Sequence, residues 1–224
     1  RSLINRFLQY KEDSAGSIMT IEFVDLKKEM TVEKAFEHIR KTGVDKETIY
    51  TCYVIDANRV LEGVITVKDL LLAAPSDIVG NIMDTNIIYA TTDEDKEDVA
   101  HIFHKYDFMS LPVVDKEKRL VGIVTFDDAM DVMEEENTED FEKMAAIMPS
   151  ERPYLKTSIF EHAKHRIVWL MVLMISATFT GAIISSFEDA FKVIPVLVAF
   201  IPMLMDTGGN SGSQTSTLII RGMA

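Results

Sequence analysis

The chain has 224 residues and a formal net charge of −13, from 36 acidic against 23 basic side chains. That balance argues against nucleic acid as a partner, because phosphate contacts need a basic patch, and it leaves cations as ligands. The single cysteine, Cys52, excludes an intramolecular disulfide and fits a reducing cytoplasm.

In chain order, a first helix is expected over Leu3 to Lys11, within a junction formed by residues 1–16. Residues 17–130 then carry one pattern twice. The first copy, 17–75, has Ser17-Ile-Met19-Thr20, Met30-Thr31-Val32, Tyr53-Val54-Ile55-Asp56 and Gly63-Val64-Ile65-Thr66-Val67-Lys68-Asp69. The second, 76–130, has Asn81-Ile82-Met83, Asp95-Lys96-Glu97, Leu111-Pro112-Val113-Val114-Asp115 and Gly122-Ile123-Val124-Thr125-Phe126-Asp127-Asp128. Met19 and Met83 are 64 residues apart, whereas Gly63 and Gly122 are 59 apart, so the first copy has about five extra residues, placed around Thr42–Thr48. Val54-Ile55 and Val113-Val114 are β-branched runs ended by an Asp turn, and Gly63-Val64-Ile65 and Gly122-Ile123-Val124 read as their partner strands. Val32 to Arg40 and Glu97 to His104 have helical spacing of apolar residues. Each copy reads strand–helix–strand–strand–helix. One unit alone exposes an apolar sheet face, so the two should pack together, burying Val54, Ile55, Val64, Ile65, Val113, Val114, Ile123 and Val124.

Asp127 to Glu142 then holds nine acids and no base. Asp128 and Asp131, and Glu135 and Glu139, share a helix face by their spacing. Unneutralised carboxylates about 4 Å apart repel by up to roughly 4 kcal/mol at an effective dielectric near 20. Hard divalent cations take oxygen ligands, so such a helix can act as a metal sensor that closes when ions bind. A solvated charged helix is the other reading of the same run. This acidic linker and its approach to the membrane occupy 131–166.

Residues Ile167 to Phe187 carry no charge over 21 positions, which matches a bilayer-spanning helix. Lys156, Lys164, His165 and Arg166 precede it and Glu188 and Asp189 follow, so the N-terminal part should be cytoplasmic. A second segment, 193–220, is apolar at both ends but contains Asp206-Thr-Gly-Gly-Asn210-Ser-Gly-Ser-Gln214-Thr-Ser-Thr217. Polar side chains survive at membrane depth inside a bundle or beside a water-filled cavity. Asp206, Asn210 and Gln214 are therefore expected on the wall of a polar pathway. A Gly/Ser linker, or an Asp206 carboxylate hydrogen-bonded near a kink after Pro202, is the competing reading. The chain begins with Arg1 and stops at Ala224, and two helices make a poor pathway, so further spans are expected. No nucleophile triad, P-loop or His-Glu-x-x-His motif is visible, and no enzymatic activity is expected.

The doubled Gly-x-x-Thr-x-x-Asp hairpin, Gly63-Thr66-Asp69 and Gly122-Thr125-Asp128, resembles a tandem CBS-domain pair. The implied fold class is α+β: two β-α-β-β-α units, an α-helical linker and transmembrane α-helices. The Thr and Asp of the motif are the family's ribose contacts; helix capping is the alternative role for both. The whole chain resembles the MgtE-type magnesium transporters. The junction Ser14-Ala15-Gly16-Ser-Ile-Met19-Thr20, the order of elements, and Pro202, Gly208-Gly209-Asn210, Gly212-x-Gln214 and Leu218-Ile219-Ile220-Arg221 carry the resemblance. It implies a homodimeric, multi-pass protein of the inner (plasma) membrane in contact with lipid. Its CBS part would lie in the cytoplasm, sense Mg²⁺ and close the pore when internal Mg²⁺ is high. Regulatory metal positions carried over are Asp95, Glu97, Asp107, Asp128, Asp131, Glu136, Glu139 and Asp140. Nucleotide contacts carried over are Asp69, Ile88 and Phe108. Thr51 and Lys68 replace an aromatic ring and an arginine, which predicts weak or absent ATP binding. The competing function is a membrane-tethered, nucleotide-sensing CBS module with no transport of its own.

Overall fold

The computed structural model describes residues 10–149 and 156–223. Most of the helix expected over Leu3 to Lys11 lies outside them, and Tyr10 and Lys11 are not helical. The chain divides into two compact units between Glu134 and Glu135.

The first unit holds two three-stranded sheets. In the first, β1 (Val24–Leu26) pairs parallel with β2 (Thr51–Ile55), and β2 pairs antiparallel with β3 (Leu61–Thr66). In the second, β4 (Ala90–Thr91), β5 (Ser110–Val114) and β6 (Leu120–Thr125) repeat this arrangement. A parallel pair needs a crossover, which α2 (Val32–Thr42) and α5 (Lys96–Tyr106) supply. A helix follows each hairpin: α3 (Val67–Leu72) and α6 (Phe126–Met144). Between crossover helix and strand the first copy has eight residues, Gly43–Tyr50, with a 3₁₀ turn at Gly43–Asp45; the second has three, Asp107–Met109. The length difference between the copies therefore resides at the expected place.

β2 and β5 are the central strands and are buried on both faces, hence their unbroken apolar runs. One face of each sheet meets its own helices. Leu26, Ala35, Ile39, Cys52, Val54, Ile65 and Leu70 form the first of these cores; Val99, Phe103, Leu111, Val113 and Val124 belong to the second. The opposite faces meet each other through Phe23, Tyr53, Ile55, Leu120 and Ile123. Seven of the eight residues expected inside are buried. Val64 is the exception: it is half-buried at the rim of the shared interface, where its backbone bridges Asp84.

The two copies exchange their leading segments. A short helix, α1 (Ala15–Ile18), precedes the first copy, but its Ala15 and the following Met19 pack in the core of the second. The matching α4 (Val79–Ile82) precedes the second copy, yet its Val79 and the following Met83 pack on the first. Thr20 bridges Ile123, and Asp84 bridges Val64. The exchange explains the two hairpin glycines. A Cβ on Gly122 would lie 2.7 Å from Met19 Sδ and 2.8 Å from Thr20 O, and one on Gly63 would lie 2.5 Å from Met83 Sδ.

The second unit is helical. It contains α7 (Ile159–Ser186), α8 (Glu188–Val193), a 3₁₀ segment at Pro195–Ala199 and α9 (Phe200–Met223). Ser158 caps α7 by accepting from Glu161 N at 3.3 Å. At 28 residues, α7 is the one helix among the described residues that is long and apolar enough to cross a membrane. It starts eight residues before the uncharged run and stops one residue short of its end, with Phe187 as C-cap. The segment expected as one span over 193–220 begins instead with the 3₁₀ turn, and its α-helical part starts at Phe200. Pro202 sits in the first turn of α9, where its missing N–H costs no helical hydrogen bond, so no break follows it. The polar run is too rich in Gly, Ser and Thr for α9 to meet the same apolar criterion.

Candidate functional site

Along α9, Asp206, Asn210 and Gln214 recur every four residues and fall on one face. Asn210 Nδ2 donates to Asp206 Oδ2 at 3.2 Å, which fixes the carboxylate along the helix. Thr207 Oγ donates to Met203 O at 2.8 Å, and Thr215 Oγ to Ser211 O at 2.9 Å. These hydroxyls are satisfied within their own helix, which lowers the cost of placing them in an apolar medium. A Cβ on Gly208, Gly209 or Gly212 would meet nothing within 4 Å.

The eight acidic candidates fall into two groups. Asp95 is the N-cap of α5 and accepts from Glu97 N at 2.9 Å. Glu97, in the first turn, faces His101 at 3.9 Å. Asp107 ends the same helix in a left-handed conformation with φ 54°, one that Asp tolerates better than most residues. Asp128, Asp131, Glu136, Glu139 and Asp140 lie on α6. That helix is fixed to the second CBS core by Ala129 and Val132, so its acids occupy the remaining surface. Asp128 accepts from Thr125 Oγ at 2.8 Å. Glu139 is paired with Lys143 at 2.8 Å, and this hydrogen bond, ahead of the charges of Asp140 and Glu136, raises the lysine pKa. Lys143 stands one residue beyond the acidic run, outside the stretch whose composition marks it as acidic. Among the described residues no group of three or more His, Cys, Asp or Glu side chains is gathered closely enough to hold a metal ion.

The proposed nucleotide contacts are distributed over both copies. Asp69 forms a reciprocal capping box with Thr66: Asp69 N donates to Thr66 Oγ at 3.1 Å, and Thr66 N donates back to the carboxylate at 3.2 Å. In the second copy Thr125 Oγ donates to Asp128 Oδ2 in the same way, so the side-chain part of the arrangement is repeated. Ile88 and Phe108 are half-buried against the second core, and Phe108 stacks on Tyr106 with ring centroids 5.5 Å apart. Thr51 lies opposite Thr66 in the β2–β3 register, and Lys68 is exposed.

Three contacts were not legible as site features. Tyr53 Oη and Ser110 Oγ are 2.7 Å apart and buried, a polar tie between the two sheets. Burial pushes the Tyr53 phenol up, with the Ser110 bond pulling the other way, and burial pushes the Cys52 thiol up to about 12. In the second unit, Arg221 Nη1 reaches Asn137 Oδ1 at 3.4 Å, which connects the C-terminal half of the acidic helix to the far end of α9. His165 Nδ1 lies 3.1 Å from Met148 O, so the stretch after the acidic helix folds back on the start of α7.

Residues 15–76 and 79–135 match the CBS domain family. Over all 224 residues the chain is 41% identical to a magnesium transporter MgtE of Thermus thermophilus, covering 50% of that protein. It is 37% identical to one of Bacillus subtilis over 221 residues, 49% of that protein. The chain thus spans about half the length of the curated relatives it matches. Among solved structures, the cytosolic domain of the Mg²⁺ channel MgtE in complex with ATP is 45% identical. It superposes with a TM-score of 0.58 over 59% of this chain and 53% of that one. The soluble part of a magnesium transporter superposes with a TM-score of 0.59 at 38% identity, over 59% and 52% of the two chains. The chain belongs to the CBS domain family, and its likeness to the MgtE magnesium transporters runs from the junction before the CBS pair through the polar helix α9.

Proposed function

We propose that the chain is the sensor and first pore segment of a Mg²⁺ transporter or channel, whose cytoplasmic CBS part closes the pathway when internal Mg²⁺ is high. The observation that carries the reading is the continuity of the likeness. Identity to the Thermus thermophilus transporter extends over the acidic helix and the polar helix as well as the CBS pair, whereas relatives of other kinds match only about half the chain. In this reading α7 and α9 are membrane helices of a homodimeric, multi-pass protein of the plasma membrane, and Asp206, Asn210 and Gln214 face its polar pathway.

The placement of the acids suggests how closure works. Asp95, Glu97 and Asp107 sit at the two ends of α5, and Asp131, Glu136, Glu139 and Asp140 on α6, with no finished metal cluster among the described residues. Ligands dispersed in this way are completed by a second surface, such as a partner protomer. Mg²⁺ then favours the closed arrangement because only that arrangement brings the carboxylates together. A ligand shifts a two-state balance only through such a difference in affinity. The Glu139–Lys143 pair is an exposed i,i+4 contact of about 0.3–0.5 kcal/mol, small enough for a divalent ion to displace. ATP plays at most a weak part, since Thr51 and Lys68 offer neither a stacking ring nor a planar fork.

The test is Mg²⁺ flux through the full-length protein in liposomes. With Asp131, Glu139 and Asp140 replaced by alanine, flux should stay high at millimolar internal Mg²⁺, where the parent protein shuts. Closure of the triple variant at the parent's Mg²⁺ concentration overturns the sensor assignment. Absence of Mg²⁺ flux in the parent favours the tethered regulatory module.

A further inference from the structure

Helix α7 is longer than the apolar layer it would cross. Its 28 residues rise about 42 Å, against a hydrocarbon core of about 30 Å. The excess of about 12 Å equals the rise of residues 159–166, the two turns that precede the uncharged run. With the uncharged run in the hydrocarbon, those turns lie at the level of the lipid headgroups.

This segment is cationic in an acidic protein. Residues 156–166 carry Lys156, Lys164 and Arg166, with His162 and His165, against the single acid Glu161, whereas the whole chain has a net charge of −13. Lys164, His165 and Arg166 are consecutive, so each points about 100° further round the helix than the one before. The three therefore form a collar. A protein partner docks on one side of a helix, whereas a headgroup layer surrounds it. His165 Nδ1 lies against Met148 O at 3.1 Å, and Lys164 and Arg166 are exposed and form no ion pair among the described residues. The acidic run that precedes them thus leaves both cations open. Beside them Ile159 and Phe160 are 84% and 89% exposed. Cationic heads on long stems next to apolar side chains suit the boundary between headgroups and acyl chains.

We propose that this collar binds anionic phospholipid headgroups of the cytoplasmic leaflet. The inference rests on the reading of α7 as a membrane helix whose N-terminal end is inside. Lys164 and Arg166 meet lipid phosphates from different sides of the helix, and Phe160 lies on the acyl chains. A cation near an anionic surface gains about fivefold in affinity. The Met148 contact joins the same two turns to the stretch after the acidic helix, so the charge of the leaflet becomes an input to the link between sensor and span.

Trp169 is the one tryptophan of the chain and stands three residues beyond Arg166, which makes it a local reporter. The full chain is placed in vesicles of mixed phosphatidylglycerol and phosphatidylcholine, with one or the other lipid brominated on its acyl chains. Quenching of Trp169 then gives their relative occupancy beside α7. Phosphatidylglycerol should be preferred about fivefold or more, and Lys164→Gln with Arg166→Gln should bring the ratio to about one. A parent preference below about twofold, with both lipids quenching, overturns the proposal and leaves the membrane helix in place. A preference that survives the double substitution overturns it as well. Absence of quenching by either lipid removes the membrane assignment of α7, and this proposal with it.

Discussion

The CBS pair and the helical unit treat apolar side chains in opposite ways. In the pair, Tyr53, Phe103, Leu26 and Leu120 are shielded almost completely, and β2 is covered on both faces. In α7 no residue is buried, and Trp169 and Phe179 stand 47% and 69% exposed. An average hydrophobic fraction hides this contrast. The pair satisfies its apolar surface within one chain, because two imperfect copies cover each other. The helical unit leaves the apolar surface of α7 uncovered within this chain, and a helix without a polar face is stable where lipid or neighbouring helices cover it.

The sharpest way to break the comparison is truncation at matched aromatic positions. Tyr53→Ala removes a fully buried ring and leaves Ser110 without its partner across the sheets. It should cost about 3–5 kcal/mol, read as a shift in the urea midpoint of the CBS pair's unfolding. Phe179→Ala on α7 should move that transition by no more than about 0.5 kcal/mol. Equal effects would mean that the two regions unfold as one.

Glycine substitutions sharpen the contrast at a smaller scale. Gly122→Ala drives a methyl into Met19 and the Thr20 carbonyl, and should destabilise by about 1–3 kcal/mol. Gly208→Ala meets nothing in this chain and should stabilise α9 by about 0.5–1 kcal/mol. Thermal unfolding of the detergent-solubilised chain measures both. If Gly208→Ala also abolishes flux in the full-length protein while leaving the chain stable, that glycine faces a close neighbour in the complete bundle.

The smallest effect concerns the cap. Asp69→Ala removes one half of a capping box on a six-residue helix and should cost about 1 kcal/mol. Calorimetry with ATP should show weak or absent binding in the parent and none in this variant. Micromolar affinity unchanged by Asp69→Ala would show that the residue only caps.

The doubled sheet was legible because its signals are local. β-branched runs, Asp turns and two glycines at constant spacing specify the hairpins, and the length difference between the copies points to Thr42–Thr48, which overlaps the longer Gly43–Tyr50 connection of the first copy. The exchange of leading segments was not legible. Met19 and Met83 look like ordinary apolar residues at the start of each copy, and nothing local says that each packs on the other copy's glycine. For the same reason Val64 reads as core, although it lies half-buried at the rim, where its backbone bridges Asp84. In the candidate site, the acidic run and the polar helix were plain from composition, and the single-face register of Asp206, Asn210 and Gln214 followed from their spacing. The Glu139–Lys143 pair and the Arg221–Asn137 contact were not, since the first lies just past the run and the second joins residues 84 apart.

The helices after the two hairpins occupy equivalent places in the repeat, yet α3 stops after six residues and α6 continues for 19. Ala129 and Val132 hold its first turns to the second copy's core, and Asn137 farther along meets Arg221. At about 1.5 Å per residue its 19 residues make one hydrogen-bonded ladder about 28 Å long. The two copies are therefore unequal as transmitters: the first hairpin's helix ends within its own copy, and only the second hands its orientation to residues beyond the pair.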